Sequence, residues 1–270
     1  MLIVEEKAIG REVGVYNLEG EVVEKIPLPK VFFAPIRRDL IRRAVLALQT
    51  SRRQPKGTDP EAGERTTAES WGVGHGIARV PRIKGSSRAA LAPNTVGGRR
   101  AHPPKVEKKI KEKINKKEKK LAFISALAAV ADRMFVKMRG HVIDDIKELP
   151  LVVLDDFEKI EKAKDLRGVF KKLGVWDDVM RAYKGVRIRS GRGKMRGRKY
   201  KKPKSVLIIV SGNAPIFKAG RNFPGVDIKD VNNVNVEDLA PGGDPGRLTI
   251  FTVSALKTIG ERYGDIVVAG

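Results

Sequence analysis

The sequence predicts an α/β fold: a mainly parallel sheet with helices on both faces and one long, extended inserted loop. Three observations carry that expectation. Strand-like apolar runs at 149–156, 205–212 and 247–252 alternate with segments of helical period. Apolar periodicity disappears between positions 49 and 105 and then returns. That region and a second stretch at 184–204 combine Lys and Arg with Gly, a composition that cannot bury itself.

The elements follow in order. Apolar residues at 12–15 and 21–26 flank Asn-Leu-Glu-Gly-Glu, a hairpin signal. After Pro35, the residues Ile36, Leu40, Ile41, Ala44, Val45 and Leu48 keep helical spacing, and that helix ends near Gln49. Beyond Pro103-Pro104, Val106, Ile110, Ile114 and Leu121 mark one face of a further helix, supported by Glu107–Lys111 and Glu112–Lys116 at i,i+4. A nearly all-apolar, buried helix is expected over 121–138, and a short buried strand over 149–156. Two helices follow over 161–174 and 175–184, with Gly174 as the break between them. Strands at 205–212 and 247–252 and a last helix at 253–264 complete the pattern. The expected organisation is one α/β globular domain over 1–270. Its core is 1–48 and 106–270, with an inserted loop at 49–105 and a second basic loop at 184–204.

Composition points to the partner. Lys and Arg number 55 against 32 Asp and Glu, a net charge of +23, while 41% of residues are hydrophobic. A folded body with that excess implies a polyanion, and nucleic acid above all. There is no cysteine, so disulfides and thiolate metal sites are excluded. The three histidines, His75, His102 and His141, form no HExxH pattern, so neither metal nor cofactor is expected. No apolar run reaches the ~18 residues of a membrane helix, and no signal peptide opens the chain. A cytoplasmic protein with no membrane partner is expected.

Enzyme motifs fail on context. Gly72-Val73-Gly74-His75-Gly76 resembles a dinucleotide loop, but no strand precedes it and no helical pattern follows. Gly191-Arg192-Gly193-Lys194 resembles a phosphate loop, yet Met195 stands where a magnesium-holding hydroxyl belongs. Asp155 and Asp156 at a strand end read as a helix cap. Asp177 and Asp178 read as a surface pair in a first helical turn, and His141 as filling a turn.

The basic segments suit RNA. From 184 to 204 there are eleven Lys or Arg and no acid; from 49 to 105 there are eleven against four acids. Arg binds phosphate bidentately and stacks on bases, Lys supplies charge, and Gly lets backbone N–H groups approach the phosphate chain. In the inserted loop the candidate contacts are Arg52, Arg53, Arg65, Arg79, Arg82 and Lys84, then Arg88, Arg99, Arg100 and His102. Trp71 and His75 are candidates to stack on unpaired bases. In the second loop the candidates are Arg187, Arg189, Arg192 and Lys194, then Arg196, Arg198, Lys199 and Lys201.

Five blocks carry a resemblance: "AESWGVGHGIARVPR", "GGRRAHPP", "MRGHVIDDIKELPLVV", "GRGKMRGRKYKK" and "RNFPGVDIKDVNNVNVEDLAPGG". In this order, over nearly the whole chain, they resemble the family of large-ribosomal-subunit protein four in its archaeal and eukaryotic branch. The chain stops after "GERYGDIVVAG", without the eukaryotic carboxy-terminal extension, which favours an archaeal source. The resemblance implies a Rossmann-like globular domain and a structural role in the large ribosomal subunit. It implies early binding of large-subunit rRNA and a loop tip lining the nascent-peptide exit tunnel beside ribosomal protein twenty-two. On that basis the tip holds Trp71, Gly72, Gly74, His75, Gly76 and Arg79. The returning arm holds Arg99, Arg100 and His102, and Arg187 to Lys204 form a second rRNA contact. The competing functions are a nucleotide-using enzyme on a doubly wound sheet and a regulator that binds messenger RNA.

Overall fold

Leu207 and Ile209 point into one apolar core and Ile208 and Val210 into another, so the run Leu-Ile-Ile-Val is buried on both faces of its sheet. That is the reason for a continuous apolar run where a half-exposed strand would alternate. The computed structural model describes residues 2–4, 11–264 and 267–269.

Six strands form the central sheet: β1 (Glu12–Tyr16), β2 (Val22–Pro27), β3 (Leu151–Val153), β4 (Leu207–Val210), β5 (Asp227–Asp230) and β6 (Thr249–Thr252). Their order is β5-β4-β6-β3-β1-β2. All neighbours are parallel except the β1–β2 hairpin at one edge. Ile250 sits at the middle, in register with Leu151 on one side and Ile208 on the other.

Helices cover both faces. On the first lie α1 (Arg38–Ser51), α2 (Lys116–Ala131), α7 (Val236–Leu239) and α8 (Val253–Tyr263); Ile41, Leu127, Leu239 and Leu256 pack there with Phe251 of β6. On the second, Val136 of α3 (Arg133–Met138), Phe170 of α4 (Ala163–Lys172), Val179 of α5 (Trp176–Lys184) and Ile216 of α6 (Ile216–Gly220) pack against Ile208 and Ile250. The α/β expectation, a mainly parallel sheet with helices on both faces, matches this architecture.

The structure corrects two local expectations and adds two elements. Residues 106–115 are not helical: α2 starts at Lys116, with Asn115 in extended conformation at its N-cap. Val106 is 61% exposed and Ile110 only half-buried, so Ile114 alone packs against the core, too little to hold that lysine-rich segment in a helix, and Glu107–Lys111 and Glu112–Lys116 are not helical pairs. The expected helix over 121–138 is two helices, because the Asp132 side chain accepts from Met134 N at 2.8 Å and starts α3. Edge strand β5 and short α6 were not expected. The Asp-Ile-Lys-Asp of β5 has no apolar alternation, and all four residues are half-buried.

The chain divides into two units, Met1–Leu48 with Lys113–Gly270, and Gln49–Glu112. In the second, Ala68 and Ala90 are the only buried hydrophobic residues. It holds its shape with turns and a two-residue ribbon, Ala68–Glu69 against Arg82–Ile83, rather than with a core.

Candidate nucleic-acid interface

The ribbon in the second unit closes a loop over 70–81. Ser70 Oγ donates to Arg79 O at 3.0 Å and accepts from Gly72 N at 3.3 Å. Gly72, Gly74 and Gly76 have φ of +80°, +90° and +64°, and a Cβ on any of them would meet nothing within 4 Å. They are glycine because the backbone is left-handed there, not because the loop is crowded. Trp71 stacks edge-on against His75, centroids 6.1 Å apart, and remains 49% exposed beside exposed Val73 and Ile77. Apolar side chains held open to solvent on a coreless loop mark a surface made to be covered.

Not every cation of this unit faces outward with its charge free. Arg65 is paired with Asp59 and, at 3.0 Å, with Glu61. Half-buried Arg82 donates to Ser87 O. Lys84 lies 3.6 Å from Glu69 and Arg99 lies 3.9 Å from Glu64. These four brace the loop as much as they offer charge. Arg53, Arg79, Arg88 and Arg100 are exposed and make no ion pair among the described residues, and Arg52 and His102 are exposed as well.

The 184–204 stretch is a short hairpin. Arg187 and Ile188 pair antiparallel with Lys201 and Tyr200. A 3-10 turn, Arg192–Arg196, lies between two left-handed glycines, Gly191 and Gly197. Arg189 is its internal brace: its N donates to Lys199 O at 2.7 Å and its Nε to Arg198 O at 3.0 Å. Lys199 Nζ sits 5.5 Å over the Tyr200 ring. Arg187, Arg192, Lys194, Arg196, Arg198 and Lys201 are exposed and lack an ion pair among the described residues. A cationic ribbon of this kind binds phosphate chains with little sequence preference.

What anchors the hairpin was not expected from the sequence. Asp178, read as a surface acid, is fully buried; Asp177 alone is exposed. The Asp178 carboxylate accepts from Arg181 Nε at 2.8 Å, Ser205 Oγ at 2.6 Å and Val142 N at 3.0 Å, and lies 3.0 Å from His141 Nδ1. Burial works against its charge, but the hydrogen bonds from His141, Arg181 and Ser205 hold the carboxyl far below its usual range. Arg181 also donates to Lys204 O at 2.8 Å, at the hairpin's exit. Deeper, the buried guanidinium of Arg247 donates to Ser205 O at 2.8 Å, Gly225 O at 3.2 Å and Asp227 Oδ2 at 2.6 Å. Asp227 in turn accepts from Lys204 Nζ at 2.7 Å. No local pattern marks an Arg at the entry of a buried strand as a structural hub.

Open parallel sheets commonly bind ligands beyond their strand ends. Here carboxylates fill that place. Asp155 accepts from Ser254 N at 3.0 Å and Ser254 Oγ at 2.5 Å, capping α8 rather than its own turn. Glu158 accepts from Ser211 N at 2.8 Å, Ser211 Oγ at 2.9 Å and Thr252 Oγ1 at 2.8 Å. A nucleotide phosphate would meet negative charge there. No helix among the described residues is long and apolar enough to cross a membrane.

Comparison with known proteins agrees with the charge pattern. The "Ribosomal protein L4/L1 family" matches residues 26–262. The chain is 54% identical over 259 residues to the large ribosomal subunit protein uL4 of Methanopyrus kandleri, covering 94% of this chain and 100% of that protein. It is 57% identical over 248 residues to the protein of the same name from Pyrobaculum aerophilum, 91% of this chain and 88% of that one. For that of Saccharolobus islandicus the identity is 52% over 256 residues, 94% and 96% of the two chains. With most of its length matched at this level to archaeal proteins, the chain belongs to the ribosomal protein L4/L1 family.

Proposed function

We propose that this protein is a structural constituent of the large ribosomal subunit, not an enzyme, and that it binds large-subunit rRNA through two limbs. One limb is the inserted segment at 49–105; the other is the hairpin at 184–204. The observation that carries the reading is the hairpin: eleven cations, no acid, and a base tied to a buried polar network. A ribbon so charged repels itself and needs both a rigid root and a polyanionic cover. Membership in the family supports the ribosomal, cytoplasmic setting. The many phosphate contacts available to the two limbs suit binding early in assembly, before other proteins have fixed the RNA. The 70–81 loop, with its exposed Trp71 and open glycines, suits a place at the exit tunnel beside ribosomal protein twenty-two and the nascent peptide.

The test is retention on the particle. A tagged copy expressed in an archaeal host should co-sediment with large subunits through a high-salt wash. Recovery only in the free-protein fractions would refute the reading.

A further inference from the structure

We infer that the groove between the end of α5, the root of the basic hairpin and the 221–227 turn is a receptor for an unpaired RNA base, with Tyr183 and Tyr200 as its stacking surfaces. The inference rests on the rRNA-binding reading and adds to it a site of different chemistry. The groove holds about 860 Å³, within the range of small-ligand sites. Tyr183 is 63% and Tyr200 53% exposed, unusual for rings that line a concavity. Neither hydroxyl has a protein partner among the described residues. The Lys199 ammonium lies 5.5 Å from the Tyr200 ring centroid, a cation that a stacked base would share or displace.

The rest of the lining matches a nucleotide. Lys184, Lys202 and Arg221 border the groove and make no ion pair among the described residues, so they can take the flanking phosphates. The exposed Asn222 amide, with one donor and one acceptor side, can pair with a base edge. The floor is preformed. Phe223 packs edge-on against Phe170 at 5.5 Å and Trp176 at 6.1 Å. Gly225, at φ +77°, lets its backbone pass so close to Pro203 that a Cβ would lie 2.4 Å from Pro203 O. A base inside a duplex hides its faces, so two open rings select a base splayed out of its strand. An acidic peptide would use the cations and leave both rings uncovered.

The experiment uses the full chain and a fluorescein-labelled oligoadenylate, compared with an RNA duplex of equal phosphate number, by anisotropy across a salt series. Replacing both rings, Tyr183→Ala with Tyr200→Ala, should weaken oligoadenylate binding about tenfold or more. The slope of log affinity against log salt and the affinity for duplex should stay unchanged, because no phosphate contact is lost. The double Tyr→Phe variant should bind like wild type. A thiouridine-containing single strand should crosslink to peptides containing Tyr183 or Tyr200. Both side chains are exposed, and an unchanged thermal midpoint confirms that the variants fold. Wild-type affinity in the double Ala variant, or equal loss for single strand and duplex, would overturn the groove while leaving the rRNA reading in place. Tighter capture of oligoglutamate than of oligoadenylate, lost in the same variant, would assign the groove to an acidic protein segment and overturn it too. If wild type binds neither RNA, both readings fall.

Discussion

Asp178 Oδ2 lies 3.0 Å from Nδ1 of His141, and both side chains are buried. One residue sits in α5 and the other follows α3, so the pair joins two elements distant in sequence beneath the basic hairpin. Nδ1 must carry the ring hydrogen to donate to the carboxylate, which fixes the tautomer of the neutral imidazole. With Arg181, Ser205 and Val142 also donating, no lone pair of Asp178 is left to wander.

Removing the acid therefore strands several buried donors at once. Asp178→Ala should cost roughly 3–5 kcal/mol, the range for breaking a buried ion pair from one side. Ser205→Ala, losing one hydrogen bond, should cost about 1–2 kcal/mol. Urea unfolding measures both. Equal, sub-kilocalorie losses would mean that the network does not brace the hairpin.

Acid should weaken the fold through His141. Burial holds its imidazole below the ordinary 6.5, and the Arg181 and Arg139 cations act in the same sense, against the pull of Asp178. The unfolded chain then takes up a proton that the native chain refuses, so stability falls as pH drops below about 6.5. Asp178, also held low, adds a loss of the same sign at more acid pH. The urea midpoint should decline from pH 7.5 to 5, and His141→Gln should flatten that decline. A midpoint that rises on acidification contradicts this assignment.

The inserted unit should yield first to protease. With Ala68 and Ala90 as its only buried hydrophobics, little apolar burial opposes local opening over 49–112. Brief trypsin digestion of the free protein should leave the α/β body intact and cut the insert, mapped by mass spectrometry. First cuts inside α4 or α8 would count against it.

Binding to rRNA fragments should depend steeply on salt. If 6–10 of the exposed cations reach phosphates, affinity should fall about 10³–10⁵-fold between 50 and 200 mM salt. Titration by filter binding gives the slope, and a flat response excludes a phosphate-dominated interface.

Tip and hairpin should separate genetically. Arg192, Lys194, Arg196 and Arg198 changed together to Ala remove four unpaired cations and should impair incorporation into the subunit. Gly74→Trp or Arg79→Glu removes at most a contact or two, so subunits should assemble while nascent-chain stalling changes. Sucrose gradients and a stalling reporter read the two effects. Assembly lost in the tip variants and normal in the four-alanine variant would reverse the proposed division.

Much of this was written locally in the chain. Thr249 to Thr252 announces a strand through β-branched and aromatic residues, and Leu207 to Val210 does so because burial on both faces demands an unbroken apolar run. The amphipathic spacing of Leu40, Ile41, Ala44 and Val45 announces α1 for the same reason on one face. The two basic segments stand out because an excess of like charge, eleven cations against four acids in 49–105 and against none in 184–204, cannot be hidden in any fold. Tertiary structure alone decided the rest. It buried Asp178 and Arg247 by bringing His141, Ser205 and Asp227 to them across the chain. It left Val106 to Asn115 unwound, with Val106 exposed and Ile114 packed against the core, and made Asp227–Asp230 a strand because β4 offered it an edge. It also sorted the cations, pairing exposed Arg65 with Asp59 and Glu61, tying half-buried Arg82 to Ser87 O, and leaving Arg192 and Arg196 without an ion pair among the described residues. Local sequence carries propensity and periodicity; burial, pairing and free charge are properties of contacts between residues far apart, and only the folded chain sets them.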